Sequence, residues 1–143
     1  MSTDVSYPIQ GGCLCGRVRF EISERPAEAG YCHCTRCQHR TGTASSASAW
    51  VRTDSFRFLS GAELVRGWRH PDGGAEKRFC SNCGAHLFAQ NPDTPGEMSI
   101  RMAAFDRAPD VPMSYRQFVT NAASWEPIPD DGLPRFPESR RAR

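Results

Sequence analysis

The chain has 143 residues, 38% of them hydrophobic, and no run of about 18 consecutive apolar residues, which excludes an ordinary membrane-spanning helix. Its formal charge of +2 leaves the seven cysteines out, and any that ionise lower it, so the charge balance gives no support for a nucleic-acid partner. The length suits one domain over residues 1–143, with a folded core at about 8–130 and a flexible tail at 131–143.

Met1-Ser2-Thr3-Asp4 shows neither a basic segment nor an apolar run, so no secretory leader is read there, and a reducing cytoplasm is the expected compartment. The first chemical signal is Cys13-x-Cys15-Gly16. Behind it, residues 17–22 alternate, with Val18, Phe20 and Ile22 on one face and Arg17, Arg19 and Glu21 on the other, as a half-buried strand requires. A second cysteine group follows, Cys32-x-Cys34-x-x-Cys37, and its end runs into a short helical segment at 35–39.

Strand-like runs follow at 47–51, 56–59, 63–68 and 77–79, separated by turn-rich pieces such as Ser60-Gly61 and Pro71-Asp72-Gly73-Gly74. The third group, Cys80-x-x-Cys83-Gly84, precedes further runs at 86–90, 98–103 and 115–119, and a helical turn is expected near 120–124. The chain therefore reads as mainly β with few short helices. Its tail carries Pro134, Pro137 and the basic residues Arg140, Arg141 and Arg143, the composition of a solvated end.

Cys-x-Cys and Cys-x-x-Cys spacings let neighbouring sulfurs converge on one tetrahedral ion, and in a reducing compartment they indicate metal rather than disulfides. Four plus three ligands gives two zinc ions: a closed structural site from Cys13, Cys15, Cys80 and Cys83, and an open site from Cys32, Cys34 and Cys37. Spacing alone also permits Cys13 and Cys15 to combine with Cys32 and Cys34, but the triplet can reach one ion from a single loop and helix turn. The glycines after Cys15 and Cys83 suit a knuckle that folds back so that amide N–H groups face the sulfurs, often with positive φ.

Three protein ligands leave a fourth position, which in catalytic zinc sites holds water or substrate. The competing arrangement closes it with a histidine: His33 should point away from the ion, while His39 and His86 are candidate closers. Three thiolates make zinc a weaker Lewis acid than a histidine-rich site, which disfavours hydrolysis and suits a sulfur ligand. A small thiol is the expected substrate class.

Three stretches resemble the family of glutathione-dependent formaldehyde-activating enzymes, whose domain is shared with centromere protein V. They are Gly-Gly-Cys-Leu-Cys-Gly-Arg-Val-Arg-Phe-Glu at 11–21, Cys-His-Cys-Thr-Arg-Cys-Gln-His-Arg-Thr-Gly at 32–42 and Arg-Phe-Cys-Ser-Asn-Cys-Gly at 78–84, followed by Asp106 and Trp125. The resemblance implies the Mss4-like fold of β-sheets carrying zinc knuckles, with zinc structural at Cys13, Cys15, Cys80 and Cys83 and catalytic at Cys32, Cys34 and Cys37. It further implies a carbon-sulfur lyase, an S-hydroxymethylglutathione synthase that reversibly adds glutathione to formaldehyde. The alternative is a non-catalytic, zinc-stabilised binding module like the centromere relative.

The chain departs from the family's pattern at Ala103-Ala104-Phe105-Asp106, which keeps the acid where relatives have a Gly-Thr-Leu-Asp-like stretch, and at Tyr115, where they often have histidine. Proton delivery to a new hydroxyl falls to His33, His39 or Asp106, the last also readable as a structural turn residue. Arg36 and Arg40 match the two carboxylates of glutathione in chemistry, although solvated arginines beside an anionic site are the better account of them. Trp50, Trp68 and Trp125 are candidates for a cleft or for core.

Overall fold

The computed structural model describes residues 5–141; the readings made at Met1-Ser2-Thr3-Asp4 and at Arg143 lie outside them. The described chain divides into two compact units, one built from residues up to Ala27 with Ala49–Val111, the other from Glu28–Ser48 with the residues from Pro112 onward. Strands dominate both, as the alternating runs require, and a single α-helix is present among the described residues.

In the first unit, β1 (Ile9–Gly12), β2 (Arg19–Ile22) and β5 (Phe56–Ser60) form an antiparallel sheet in the order β1-β2-β5. A meander of β6 (Val65–Trp68), β7 (Glu76–Cys80), β8 (His86–Gln90) and β9 (Glu97–Arg101) makes up most of the remainder. Val18, Phe20 and Ile22 are fully buried, as their alternation predicts. Phe20 stacks on Phe56 with centroids 5.2 Å apart and meets Phe105 edge-on at 5.7 Å, while Phe56 also contacts Phe58 and Phe88. Such aromatic pairs add about 0.5–1.5 kcal/mol each beyond their burial, so this cluster is the unit's mechanical centre.

β1 carries no strand signal in the sequence because its Ile-Gln-Gly-Gly has one buried apolar side chain. The glycine is what the packing demands: a Cβ on Gly11 would lie 2.3 Å from the Ala104 carbonyl oxygen and 2.6 Å from the Phe20 ring.

In the second unit, β3 (Glu28–Cys32) pairs in parallel with β10 (Met113–Gln117), setting Arg116 opposite Tyr31 and Gln117 opposite Cys32. β3 also escapes sequence reading, since its interior is Ala29 and Gly30; a Cβ at Gly30 would sit 2.2 Å from the Tyr115 ring. Helix α1 (Thr35–Thr41) extends the helical segment expected at 35–39, whereas the turn expected at 120–124 is a 3₁₀ turn, Val119–Asn121. Strand β4 (Ser46–Arg52) begins in the second unit and ends in the first.

The last described residues, expected from composition to be solvated, are laid along β10. Arg116 donates its amide to the Pro134 carbonyl at 2.9 Å and accepts from the Phe136 amide at 2.8 Å, and the Phe118 amide reaches the Glu138 carbonyl. Arg140 is ion-paired with Glu28 and lies 4.5 Å above the Tyr115 ring, its side chain almost wholly buried. Buried arginines of this kind cover aromatic surface with their stems while the guanidinium keeps a carboxylate partner, a pairing that no local pattern in the tail reveals.

Candidate metal centres

The seven cysteines fall into two clusters, Cys13 with Cys15, Cys80 and Cys83, and Cys32 with Cys34 and Cys37, the sulfurs of each lying within 4.8 Å of one another. None of the seven is in a disulfide. A tetrahedron with Zn–S bonds of about 2.3 Å has S···S edges of about 3.8 Å. The Cys13–Cys15 and Cys15–Cys80 separations of 3.5 and 3.9 Å bracket that edge, so the donor set fits zinc in kind, number and spacing.

The first cluster is built by two turns of the same design. Cys13 and Cys15 occupy the turn between β1 and β2, and Cys80 and Cys83 the turn between β7 and β8, so 64 residues lie between the pairs. Gly16 and Gly84 have φ of 79° and 78° and return their amides to the Cys13 and Cys80 carbonyls. That backbone turn aims other amides at sulfur, with the Val18 N–H donating to Cys13 Sγ at 3.3 Å. Hydrogen bonding from Asn82, then from the Arg17 amide, lowers the exposed Cys15 thiol to about 6, while burial pushes Cys80 up to about 11. The turns thus favour the thiolate at Cys15 and the neutral thiol at Cys80.

In the second cluster, Cys32 ends β3, Cys34 caps α1 and Cys37 lies in its first turn. Cys34 has extended backbone, φ −63° and ψ 155°, and its sulfur accepts from the Cys37 amide at 3.2 Å. The capping bond therefore brings two ligands together before any ion arrives. The helix ends at Gly42, φ 71°, whose amide reaches the Gln38 carbonyl. Hydrogen bonds donated by its S–H to Cys34 and Cys37, followed by burial, raise the Cys32 thiol.

Among the described residues, no histidine nitrogen joins either cluster. His33 is buried; its amide donates to the Gln117 carbonyl at 3.0 Å, and its carbonyl accepts from Gln38 Nε2 at 2.8 Å. Burial first, and then the Arg116 guanidinium, hold its imidazole below the usual value. His86 begins β8 in the first unit. His39 is exposed on α1 and lines a groove of about 230 Å³ with Thr35, Gln38, Gly42, Thr43 and Trp125.

The remaining candidates are dispersed. Asp106 belongs to the first unit, where its carboxylate is ion-paired with Arg19, which holds it below the usual carboxylate range. Arg36 is exposed and Arg40 half-buried on α1. Trp50 is half-buried, Trp68 is exposed on β6, and Trp125, 66% exposed, is the only tryptophan lining the groove. Arg116 and Asp131 carried no signal in the sequence, yet they are joined to His33 by side-chain hydrogen bonds.

A curated protein of Halomonas elongata, named "Putative glutathione-dependent formaldehyde-activating enzyme", is 26% identical over 126 residues, 84% of this chain and 80% of that protein. A Rhodobacter sphaeroides protein of known crystal structure shares the fold with a TM-score of 0.58 at 23% identity, over 90% of this chain and 99% of that one. The family model for the glutathione-dependent formaldehyde-activating enzyme matches residues 8–121, a span that contains all seven cysteines. Paired cysteine turns, a capped cysteine triplet and that match together place the chain: it belongs to the glutathione-dependent formaldehyde-activating enzyme family.

Proposed function

We propose that the protein is a zinc-dependent carbon-sulfur lyase acting on the adduct of glutathione, or another small thiol, with an aldehyde, in the manner of an S-hydroxymethylglutathione synthase. The observation that carries this reading is the three-sulfur cluster that no histidine joins; the helix that carries Cys37 also lines a groove. In the synthetic direction a thiol sulfur bonds to the aldehyde carbon, the C=O π bond is given up, and the thiol proton ends on the new hydroxyl; cleavage reverses each change. Bound at the triplet, zinc would supply a cation that favours the thiolate form of a thiol and leaves a ligand position for sulfur.

The chain's own residues divide the remaining tasks. Cys32, Cys34 and Cys37 are the metal-holding set. Thr35, Thr43 and Trp125 offer polar and flat apolar surface for the body of the thiol, and His39, exposed in the same groove, is our candidate to move the hydroxyl proton. His33 is assigned no proton transfer, because its Nε2 faces a guanidinium that can only donate. Asp106 is assigned the ion pair with Arg19. Seven cysteines outside any disulfide suit a reducing compartment, and we place the protein in the cytoplasm.

Exchange NMR of formaldehyde and glutathione, with and without the protein and against other thiols and aldehydes, tests the assignment. The expected result is a rate increase proportional to protein that disappears in a folded Cys34→Ser variant. An increase that survives Cys34→Ser overturns the triplet as the site. No increase with any thiol–aldehyde pair overturns the lyase and leaves a zinc-stabilised binding module.

A further inference from the structure

We infer that Asp131, acting through Arg116, is a positioning residue for the cysteine triplet: it holds the guanidinium that fixes His33, the residue between Cys32 and Cys34, in its Nδ1–H tautomer. The inference rests on the triplet being the reactive metal site. His33 and Arg116 lie inside the family match at 8–121 and Asp131 beyond it.

The hydrogen-bond inventory forces the tautomer. Arg116 Nη1 lies 3.1 Å from His33 Nε2, and a guanidinium has donors only, so Nε2 must be the bare, accepting nitrogen. The ring proton therefore sits on Nδ1, where the Ala44 carbonyl takes it. With its amide on Gln117 and its carbonyl on Gln38, His33 is held at four points, two through backbone and two through the ring. Those four bonds fix the stretch of backbone from which Cys32 and Cys34 extend.

Arg116 is fixed as firmly. Its Nε and Nη2 both reach Asp131 Oδ2, at 3.0 and 2.9 Å, its guanidinium carbon lies 4.0 Å above the Tyr31 ring, and the side chain is 8% exposed. Asp131 is oriented in turn by the Leu133 amide, which donates to Oδ1 at 3.1 Å. A buried cation needs such a partner, but burial alone does not explain its third edge. That edge is directed at the histidine separating two metal ligands, as groups behind metal ligands commonly are.

The test uses the full chain loaded with zinc, as wild type, Asp131→Asn and Arg116→Lys. Two quantities are read: zinc retention against a graded chelator, and the tautomer of His33 from long-range ¹⁵N–¹H spectra of the ring. Both variants should release one zinc about 10- to 100-fold more readily, keep the other at wild-type affinity, and show a mixture of His33 tautomers. Folded variants with a wild-type His33 spectrum and wild-type retention of both ions overturn the inference. So does parallel weakening of both ions, which marks general destabilisation.

Should Arg116→Lys fail to fold, Asp131→Asn decides by the same readings, and its unfolding would leave the pair a purely structural role and overturn the inference too. A wild-type chain that retains one zinc overturns the reading of the triplet itself. Two zinc ions with indifferent variants overturn the positioning role alone.

Discussion

The two cysteine clusters use the same ligand atom but are held by opposite means. In the first, ligands come from turns 65 positions apart in sequence, Cys15 to Cys80, and the residue between the first pair, Leu14, is 87% exposed. That cluster is held by its two turns and by amides such as that of Val18, which donates to Cys13 Sγ. In the second, all three ligands lie within five positions, and the residue between the first pair, His33, is buried and bonded at four points. Closing a loop of 65 rather than 5 residues stabilises the fold by about 2 kcal/mol more on chain entropy alone. A metal bound at the first cluster would therefore staple the fold, whereas one bound at the second would be a passenger on a scaffold held by other bonds.

The largest effect should follow from breaking the staple. A structural zinc contributes on the order of 10 kcal/mol, as much as the whole stability of a typical domain, about 5–15 kcal/mol. Cys80→Ser, at a fully buried ligand, is expected to abolish cooperative folding of the first unit, read by circular dichroism and zinc content. Cys34→Ser should keep its thermal transition and lose one zinc. Equal unfolding in both variants would break the distinction between staple and passenger.

A smaller change should reach the passenger through its scaffold. Gly30 lies two residues before Cys32, and a Cβ there would be 2.2 Å from the Tyr115 ring, so Gly30→Ala must displace that ring, which β10 carries alongside β3. Overpacking of this kind costs about 1–3 kcal/mol. Chelator titration is expected to show easier release of the second zinc with the first unchanged. If the first ion loosens instead, the two clusters do not depend on separate scaffolds.

The sequence exposes the two clusters unequally, for the same reason. Cysteine spacing is a local signal, and the turn glycines Gly16 and Gly84 follow it directly, so the four-plus-three division and the strand-rich fold are legible from residues alone. What holds the triplet is not local. His33 meets Arg116 across 83 positions, and Arg140 meets Glu28 across 112. Neither arginine interrupts a pattern, so nothing along the chain marks them as buried. β1 and β3 are hidden for a related reason: glycine and alanine fill their interiors because a neighbouring carbonyl or ring occupies the space where a larger side chain would advertise a strand.

Asp106 offers the smallest effect and the finest test of where chemistry resides. It lies in the unit of the staple, 54% exposed, paired with Arg19. The Arg19 hydrogen bonds depress its pKa, so the stability the pair contributes is complete above the ordinary carboxylate value and is lost only as the pH falls through the depressed one. Between pH 5 and 9 Asp106 is a carboxylate throughout and has no proton to give a new hydroxyl. Asp106→Asn should therefore lower stability by about 0.5 kcal/mol, the value of an exposed ion pair, by the same amount across that range and by less in 1 M salt. Its rate–pH profile in the exchange assay should superimpose on that of the wild type. A hundredfold loss of rate at unchanged stability would give the first unit a catalytic share and end its reading as a scaffold alone.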